Sequence, residues 1–548
     1  MGLRRWEHSN SSGLYRRSQA LKHPNSPMAN PELIRVNPEG NTLNTETKVT
    51  DGASTVAFKL AGIATDLVEA RAVKINGVIG PTIAARFYGM VGSAMYEAQQ
   101  IYDNQEETSL GGKKTDKSLT KLAKDSLKGI SPKNREAFID NVIAHAATDV
   151  MRREAPEGGS LAETGLRAAL NDLGLSADAA AKKVGSAVAD AIVSFYELDG
   201  SRAASSYSPV NSGPTDVREL DRWTPEYNVG GNPASGLQKF LTPQWGEVNQ
   251  ILSKQQLQDL KAELKSPEPF LLDPDATHDA KTGTITRTNG EVVSISKDLI
   301  GVDINPAFIE QAQRVVDASA NLTDKQKLIA EFWEDGPGTG FPPGTWVEFG
   351  RYASELYDNT RQEDVRMFFG IGQALLSASV SSWGLKTETD YTRPLTAIRE
   401  LSRLELLNDV DPITGGVQIN AYNRSTKNTQ KINGTDWETY QTFGNFYSPP
   451  FAEFTSGHST FSSAAGKLIE LITGQEQFGA SVTTTSLIEK EKNIPVTLSW
   501  DTWRDAWVES GDSRIFGGIH FDDGNKEGVK NGERIGEAVF AQVSQLWA

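Results

Sequence analysis

The chain of 548 residues contains no cysteine. Disulfides, thiolate catalysis and cysteine-type zinc sites are thereby excluded. A chain this long usually holds several thiols, and their absence suits a protein that generates a strong oxidant, because thiols are the first groups such an oxidant destroys. Long apolar runs are also missing: the stretch Ala374 to Val380 is interrupted by serine, so no membrane span is expected. The opening MGLRRWEHSNSS has basic residues with no apolar segment after them, and neither a secretory nor a twin-arginine signal is read there. Trp6 stands where a myristoylation signal needs Ser or Thr. Basic residues are outnumbered, 55 against 71 acidic, which leaves a net charge of −16 and argues against nucleic acid or an anionic membrane as a partner. A soluble protein is expected, cytoplasmic or exported by a route without a recognisable signal.

What the chain does contain is helical periodicity. Residues 1–50 are polar and rich in Asn, Pro and Ser, and read as a loose N-terminal arm. Residues 51–236 are expected to form a first helical bundle, with helices near 54–74, 81–103, 134–153, 161–172 and 177–198. A long loop, Ser201 to Gly236, closes it. Residues 237–548 would form a second bundle, with helices near 306–318, 323–334, 345–383, 395–407, 457–473 and 526–546. One β-hairpin is expected over Ile285 to Ile295, turning at Asn289-Gly290. The expected fold is all-α, two packed helical bundles or one compact domain, with at most minor hairpins and the site in the C-terminal bundle. The polar segment from Asp409 is expected to cover the site mouth. GGKKT at Gly111 lacks the upstream glycine of a phosphate loop, and the acidic stretch Asp273 to Thr282 lacks a calcium-loop ending, so neither is read as a site.

Three segments carry the chemistry: Lys386 to Pro394 (KTETDYTRP), Thr455 to His458 (TSGH) and Ser513 to His520 (SRIFGGIH). Together they supply one lysine, two arginines, two histidines and a serine-glycine pair. A pocket that takes a small, multiply charged anion out of water must offer fixed cations and directed N–H donors in exchange. Arg393 and Arg514 provide planar forks, and Lys386 a compact point charge. Ser456 precedes a run whose apolar spacing is helical, so it reads as an N-cap, with the Gly457 amide opening a positive helix end toward an anion. The chain has six histidines. His458 and His520 are the two in this setting, and two are needed: one to bind the central atom of the oxyanion and one to deliver a proton. Asp335, in FWEDGPG, is either a carboxylate holding one arginine or a helix-end residue. Trp383, one helical turn before Lys386, faces the same site if its helix continues.

The motif order and spacing resemble those of the vanadium-dependent haloperoxidases and the acid phosphatases of the type-2 phosphatidic-acid-phosphatase superfamily. In that pattern a lysine is followed after six residues by Arg-Pro, then Pro-Ser-Gly-His, then Ser-Arg followed after five residues by a histidine. Lys386, Arg393, Pro394, Ser513, Arg514 and His520 match it, while Thr455 stands in place of the proline. The family's aspartate four residues after the second histidine is replaced by Gly524, with Asp522 and Asp523 just before it. The segments GPTIAARFYGMVGSAMYEAQQIYD and FWEDGPGTGFPPGTW resemble the soluble bacterial haloperoxidases.

The resemblance implies vanadate as cofactor, with His520 as the vanadium ligand and His458 as the acid–base group. Arg393, Arg514, Ser456 and Gly457 would hold the equatorial oxygens, and Lys386 would both bind and polarise. It implies hydrogen peroxide and halide ions (bromide, iodide, chloride) as substrates, and small organic acceptors for the hypohalous acid equivalent. By resemblance to the fungal chloroperoxidases, Trp383 and Phe451 lie beside the halide; core packing is the other reading of both. The superfamily's alternative is a soluble acid phosphatase in which His520 attacks phosphorus and His458 protonates the leaving oxygen. A silent oxyanion-binding scaffold would not need both histidines. Assembly into a homo-oligomer is compatible with the sequence.

Overall fold

Polar residues that accept a backbone N–H set most of the helix starts. Thr55, Asp178, Ser253, Asn305, Thr323, Thr360, Ser456 and Thr502 each cap a helix with their own side chain, satisfying amides that have no carbonyl one turn before them. In the computed structural model the described residues are 34–35, 54–103, 117–407, 410–411, 413, 415–441 and 446–547. The N-terminal arm, apart from 34–35, lies outside them, as do Trp6, GGKKT and Asp409. No helix is long and apolar enough to cross a membrane among the described residues.

The first half contributes α1 (Val56–Glu69), α2 (Pro81–Gln100), α3 (Lys117–Ser126), α4 (Arg135–Glu154), α5 (Gly159–Asp172) and α6 (Ala179–Tyr196). An irregular stretch over 201–236 follows, as its glycine, proline and serine content implies. The second half contributes α7 (Lys254–Ala262), α8 (Pro306–Ala320), α9 (Asp324–Phe332), α10 (Phe341–Tyr357), α11 (Arg361–Thr389), α12 (Pro394–Arg403), α13 (Gly457–Thr473), α14 (Trp503–Phe516) and α15 (Asp522–Gln545). The fold is all-α, with three small antiparallel sheets among the described residues. These are β1 (Ile34–Arg35) with β7 (Gln477–Thr484) and β8 (Val496–Thr502), the meander β2 (Thr277–Asp279), β3 (Thr284–Thr286) and β4 (Val292–Ser294), and the pair β5 (Gln418–Asn423) and β6 (Asn428–Asn433).

Three expectations change. The helix expected over 345–383 is two helices, α10 and α11. Asp358 takes a left-handed φ of 53° and Thr360 starts α11 with a capping box to Glu363, so the chain turns a corner that apolar periodicity does not show. The expected hairpin is present, Ile285 pairing with Val293, and Asn289-Gly290 sits in its loop; β2 extends it to a meander. Helix α14 carries Ser513 and Arg514 yet is absent from the periodicity reading. Its buried face is Trp503, Ala506, Trp507, Ser510, Gly511, Ser513 and Arg514, apolar in its first half and small or polar in its second, so no apolar stripe runs its length.

One large core joins the halves. Apolar residues from Val56 on α1 through Phe369 on α11 to Val543 on α15 form a single buried cluster, each large side chain contributing roughly 1.5–3 kcal/mol by leaving water. A second cluster holds Phe270, Phe308, Tyr391, Leu395, Ile419, Phe454 and Phe521. Trp383 belongs to the first cluster and Leu385 to the second, so the end of α11 runs along the seam between them. Nine tryptophans are less than 2 % exposed, and Met90, Met95, Met151 and Met367 are at most 1 % exposed.

Candidate functional site

Lys386 lies in the last turn of α11 and is fully buried. Asp390 ends that helix in a left-handed conformation, and the chain then reaches Arg393, the N-cap of α12, with Pro394 as the first helical residue. The loop before α13 lies against both cations. The Lys386 ammonium donates to the carbonyls of Ala452, Glu453 and Thr455 at 2.9, 2.9 and 2.6 Å. Arg393 donates through Nε to Phe451 O at 3.0 Å and through Nη1 to Ile519 O at 2.8 Å. Thr455, at the position of the family's proline, therefore meets Lys386 through its backbone.

Ser456 caps α13 as expected. Its hydroxyl accepts Ser459 N–H at 3.3 Å and touches the Ser459 hydroxyl at 2.8 Å, which in turn reaches Asn525 Oδ1 at 2.7 Å. Gly457 and His458 open the helix, where amides have no helical carbonyl before them. Arg514, in the last turn of α14, donates through Nε to Ser513 Oγ at 2.8 Å and through Nη2 to Ala330 O at 3.2 Å, and its Nη1 is 3.4 Å from His458 Nε2. That same His458 nitrogen is 3.1 Å from Glu334 O. The turn after α14 delivers His520, whose Nε2 is 3.0 Å from Arg393 Nη1.

The sequence-read cage residues Lys386, Arg393, His458, Arg514 and His520 thus come together from three separate stretches of chain, and Lys386, Arg393, His458 and His520 each feel the charge of others in the group. Burial pushes Lys386 well below its ordinary value, with Arg393 adding to the shift and Glu453 opposing it. Burial likewise brings Arg393 down to about 9 and Arg514 to about 10. Both imidazoles are held well below their usual value, first by burial, then by Arg514 for His458 and by Arg393 for His520. The nearby carboxyls move the other way: burial raises Glu453 to about 7 and Glu334 well above its ordinary value. Buried positive charge in excess of its partners is the electrostatic signature of a site for a multiply charged anion. The donor set of guanidinium forks, an ammonium and helix-opening amides fits the oxygens of a tetrahedral oxyanion, and an acceptor imidazole nitrogen fits its central atom.

Trp383 does face this site. Its ring is 4.9 Å from that of Phe451, and the Lys386 ammonium sits 5.7 Å from the Trp383 ring and 5.2 Å from the Phe451 ring. The indole N–H is tied to Leu241 O at 2.9 Å. Asp335, with a left-handed φ of 46°, accepts from Thr345 Oγ1 at 2.8 Å, and its charge acts on Arg514.

The sequence left open which carboxylate orients His520, with Gly524 at the family's aspartate position and Asp522 and Asp523 just before it. Asp522 accepts instead from Arg314 Nε at 3.0 Å. The group on His520 is Glu453, fully buried, with Oε1 2.7 Å from Nδ1. Its signal in the sequence was slight: a lone acidic residue in the apolar run before TSGH. Glu334 was also missed, although it adjoins Asp335 in the same segment.

Residues 366–548, which hold all three motifs, match the family model described as VCPO second helical-bundle domain, in keeping with the resemblance read from the motifs. No curated protein matches the chain by sequence. Among solved structures, the chain is similar to a holo-type bacterial vanadium-dependent chloroperoxidase, with a TM-score of 0.63 and 19 % identity over 85 % of this chain and 93 % of that one. The apo-type structure of a bacterial vanadium-dependent chloroperoxidase gives 0.62 and 18 %, over 85 % and 95 %. A bacterial vanadium-dependent iodoperoxidase gives 0.59 and 18 %, over 89 % and 97 %. The chain shares their fold across nearly their whole length.

Proposed function

We propose that this chain is a vanadium-dependent haloperoxidase, which oxidises bromide and iodide, and chloride at mildly acidic pH, with hydrogen peroxide. The observation that carries the reading is the convergence of three buried cations and two imidazoles beside an aromatic wall. In this reading His520 holds vanadate through Nε2, and Arg393, Arg514, Ser456 and the Gly457 amide bind its oxygens. When bound, vanadate supplies Lewis-acid activation of hydrogen peroxide toward halide without changing oxidation state.

The chain's own residues do the rest. Arg393 and Arg514 offset negative charge in a site from which water is largely excluded, where each interaction is stronger than in bulk solvent. Lys386 donates to three loop carbonyls and would offer an N–H to hydrogen peroxide by giving up one of them. His458, neutral in this environment, takes up and returns a proton through its imidazole. Trp383 and Phe451 present a dry face to the approaching halide. The product is a hypohalous acid equivalent that halogenates small electron-rich organic acceptors.

The test is an assay of the purified protein with and without orthovanadate. Peroxide-dependent bromination should appear with orthovanadate, and phosphate-ester hydrolysis by the vanadate-free protein should be inhibited by it, because one cage takes both anions. Hydrolysis that orthovanadate inhibits, with no bromination, assigns the site to the phosphatase chemistry instead, and hydrolysis that survives saturating orthovanadate contradicts a single cage for both anions.

A further inference from the structure

Position 524 and position 453 share one space. A Cβ built on Gly524 would stand 2.1 Å from Glu453 Oε1, 2.5 Å from Oε2 and 2.6 Å from Cδ. No side chain but that of glycine coexists with the Glu453 carboxylate as it lies. Gly524 is buried in the first turn of α15, where the helical backbone makes no demand for glycine, so its role is to leave room. The room is used. Glu453 Oε1 lies 2.7 Å from His520 Nδ1 and accepts Phe521 N–H at 3.1 Å, and Oε2 is buried without a hydrogen-bond partner among the described residues. The other face of the imidazole is fixed by a donor, Arg393 Nη1, 3.0 Å from Nε2. A ring whose Nε2 accepts from a guanidinium carries its proton on Nδ1, and Nδ1 then needs an acceptor.

We propose that Glu453 and Gly524 act as one unit: Glu453 reaches from the loop before α13 into the space that Gly524 leaves on α15, and holds His520 as the Nδ1–H tautomer with its Nε2 lone pair toward the cage. Glu453 is a positioning residue, acting through His520. The inference rests on the proposed role of His520 as the residue that binds the oxyanion's central atom. It adds where the orienting carboxylate comes from and why position 524 tolerates no side chain. The backbone locks the arrangement, since Ser456 N donates to Gly524 O at 2.9 Å and Glu453 N to Tyr391 O at 2.9 Å.

The test uses the full chain, with 15N-labelled histidine to read the His520 tautomer in the vanadate-free protein, assigned by loss of its signals in His520→Gln. Affinities for orthovanadate and for inorganic phosphate are measured alongside. The wild type should show Nδ1 protonated and Nε2 bare; Nε2 protonated overturns the proposal with no variant needed. Glu453→Ala should mix the tautomers and weaken binding of both anions by roughly 10–100-fold, the usual cost of losing a partner behind a ligand. Gly524→Ala should do nearly the same, by expelling the carboxylate, while Glu453→Ala/Gly524→Ala should be no worse than Glu453→Ala, because the clash is gone. Glu453→Ala/Gly524→Asp, which returns a carboxylate from α15, should restore the tautomer and most of the affinity. Additive losses in the double alanine variant, or no recovery in Glu453→Ala/Gly524→Asp, overturn the proposal. If halide oxidation is never observed but the tautomer and the anion-binding rescue behave as stated, the haloperoxidase reading falls and this pairing stands.

Discussion

Arg393 Nη1 lies 3.0 Å from His520 Nε2, whereas Arg514 Nη1 lies 3.4 Å from His458 Nε2, a nitrogen that also faces the Glu334 carbonyl. Each imidazole thus has its own arginine, but His520 alone also has a buried carboxylate on its far nitrogen among the described residues. The two histidines therefore sit in different surroundings.

His520→Ala should abolish retention of vanadate through gel filtration. His458→Ala should keep vanadate and lose halide oxidation by about 10²–10⁴-fold, the range for a positioned proton donor. Equal loss of vanadium from both variants, read by elemental analysis, would show the roles to be reversed or shared.

Anion binding should be linked to proton uptake. Lys386, His458 and His520 are all held below their ordinary values, by burial first and by neighbouring cations next, and a multiply charged anion in the cage raises all three. Groups whose values rise on binding favour the complex at low pH, and the gain is lost as pH climbs through the values of the bound state. Calorimetric titration with phosphate at about pH 8.5, in two buffers of different ionisation enthalpy, should report a net uptake of about one proton. Proton release under those conditions contradicts the electrostatic account.

Trp383→Ala should admit water beside Lys386 and weaken chloride turnover more than iodide turnover, since iodide needs the weaker oxidant. The expected fall in the chloride-to-iodide ratio of kcat/KM is roughly tenfold, or about 1.4 kcal/mol of barrier. An unchanged ratio makes Trp383 a packing residue.

Asp364 fastens the start of α1 to the α10–α11 corner, accepting from Thr55 Oγ1 at 2.5 Å, Ser354 Oγ at 2.8 Å and Asn359 Nδ2 at 3.0 Å. Burial raises its carboxyl from 3.8 to about 6. The folded state therefore keeps a proton that the unfolded chain releases. That contribution is full below about pH 4 and lost as pH rises through about 6. Asp364→Asn stays neutral, so its unfolding free energy, read by denaturant titration, should decline less than that of the wild type across this window, by on the order of 3 kcal/mol. Parallel pH profiles for the two proteins would contradict this.

The cage was legible because its residues sit in short, rigidly spaced motifs: Lys386 and Arg393 flank one helix break, and Ser456 to His458 are a cap and the first turn of α13. Helices with an apolar stripe, such as α4 and α13, were legible for the ordinary reason of periodicity. Glu453 was not, since its meaning depends on the absent side chain of Gly524, 71 positions later in the numbering. The second half of helix α14 was hidden by close packing: Gly511 faces Asn525, with only 2.3 Å between a would-be Cβ and Oδ1, so after Trp507 the interface uses small and polar residues where a periodicity reading looks for large apolar ones. The α10–α11 corner turned on Asp358 and a capping box, which are local signals that a continuous apolar pattern overrode.

The placement of oxidisable side chains bears on how long such a catalyst would survive. With no thiol anywhere in the chain and Met90, Met95, Met151 and Met367 inside the core, four of the chain's six thioethers would be shielded from hypohalous acid leaving the cage, and most of the indoles are sealed as well. Inactivation would then begin at slower-reacting surface groups. The working lifetime, counted in turnovers before half the molecules fail, would be set by damage at those surface groups and by how rarely the core opens.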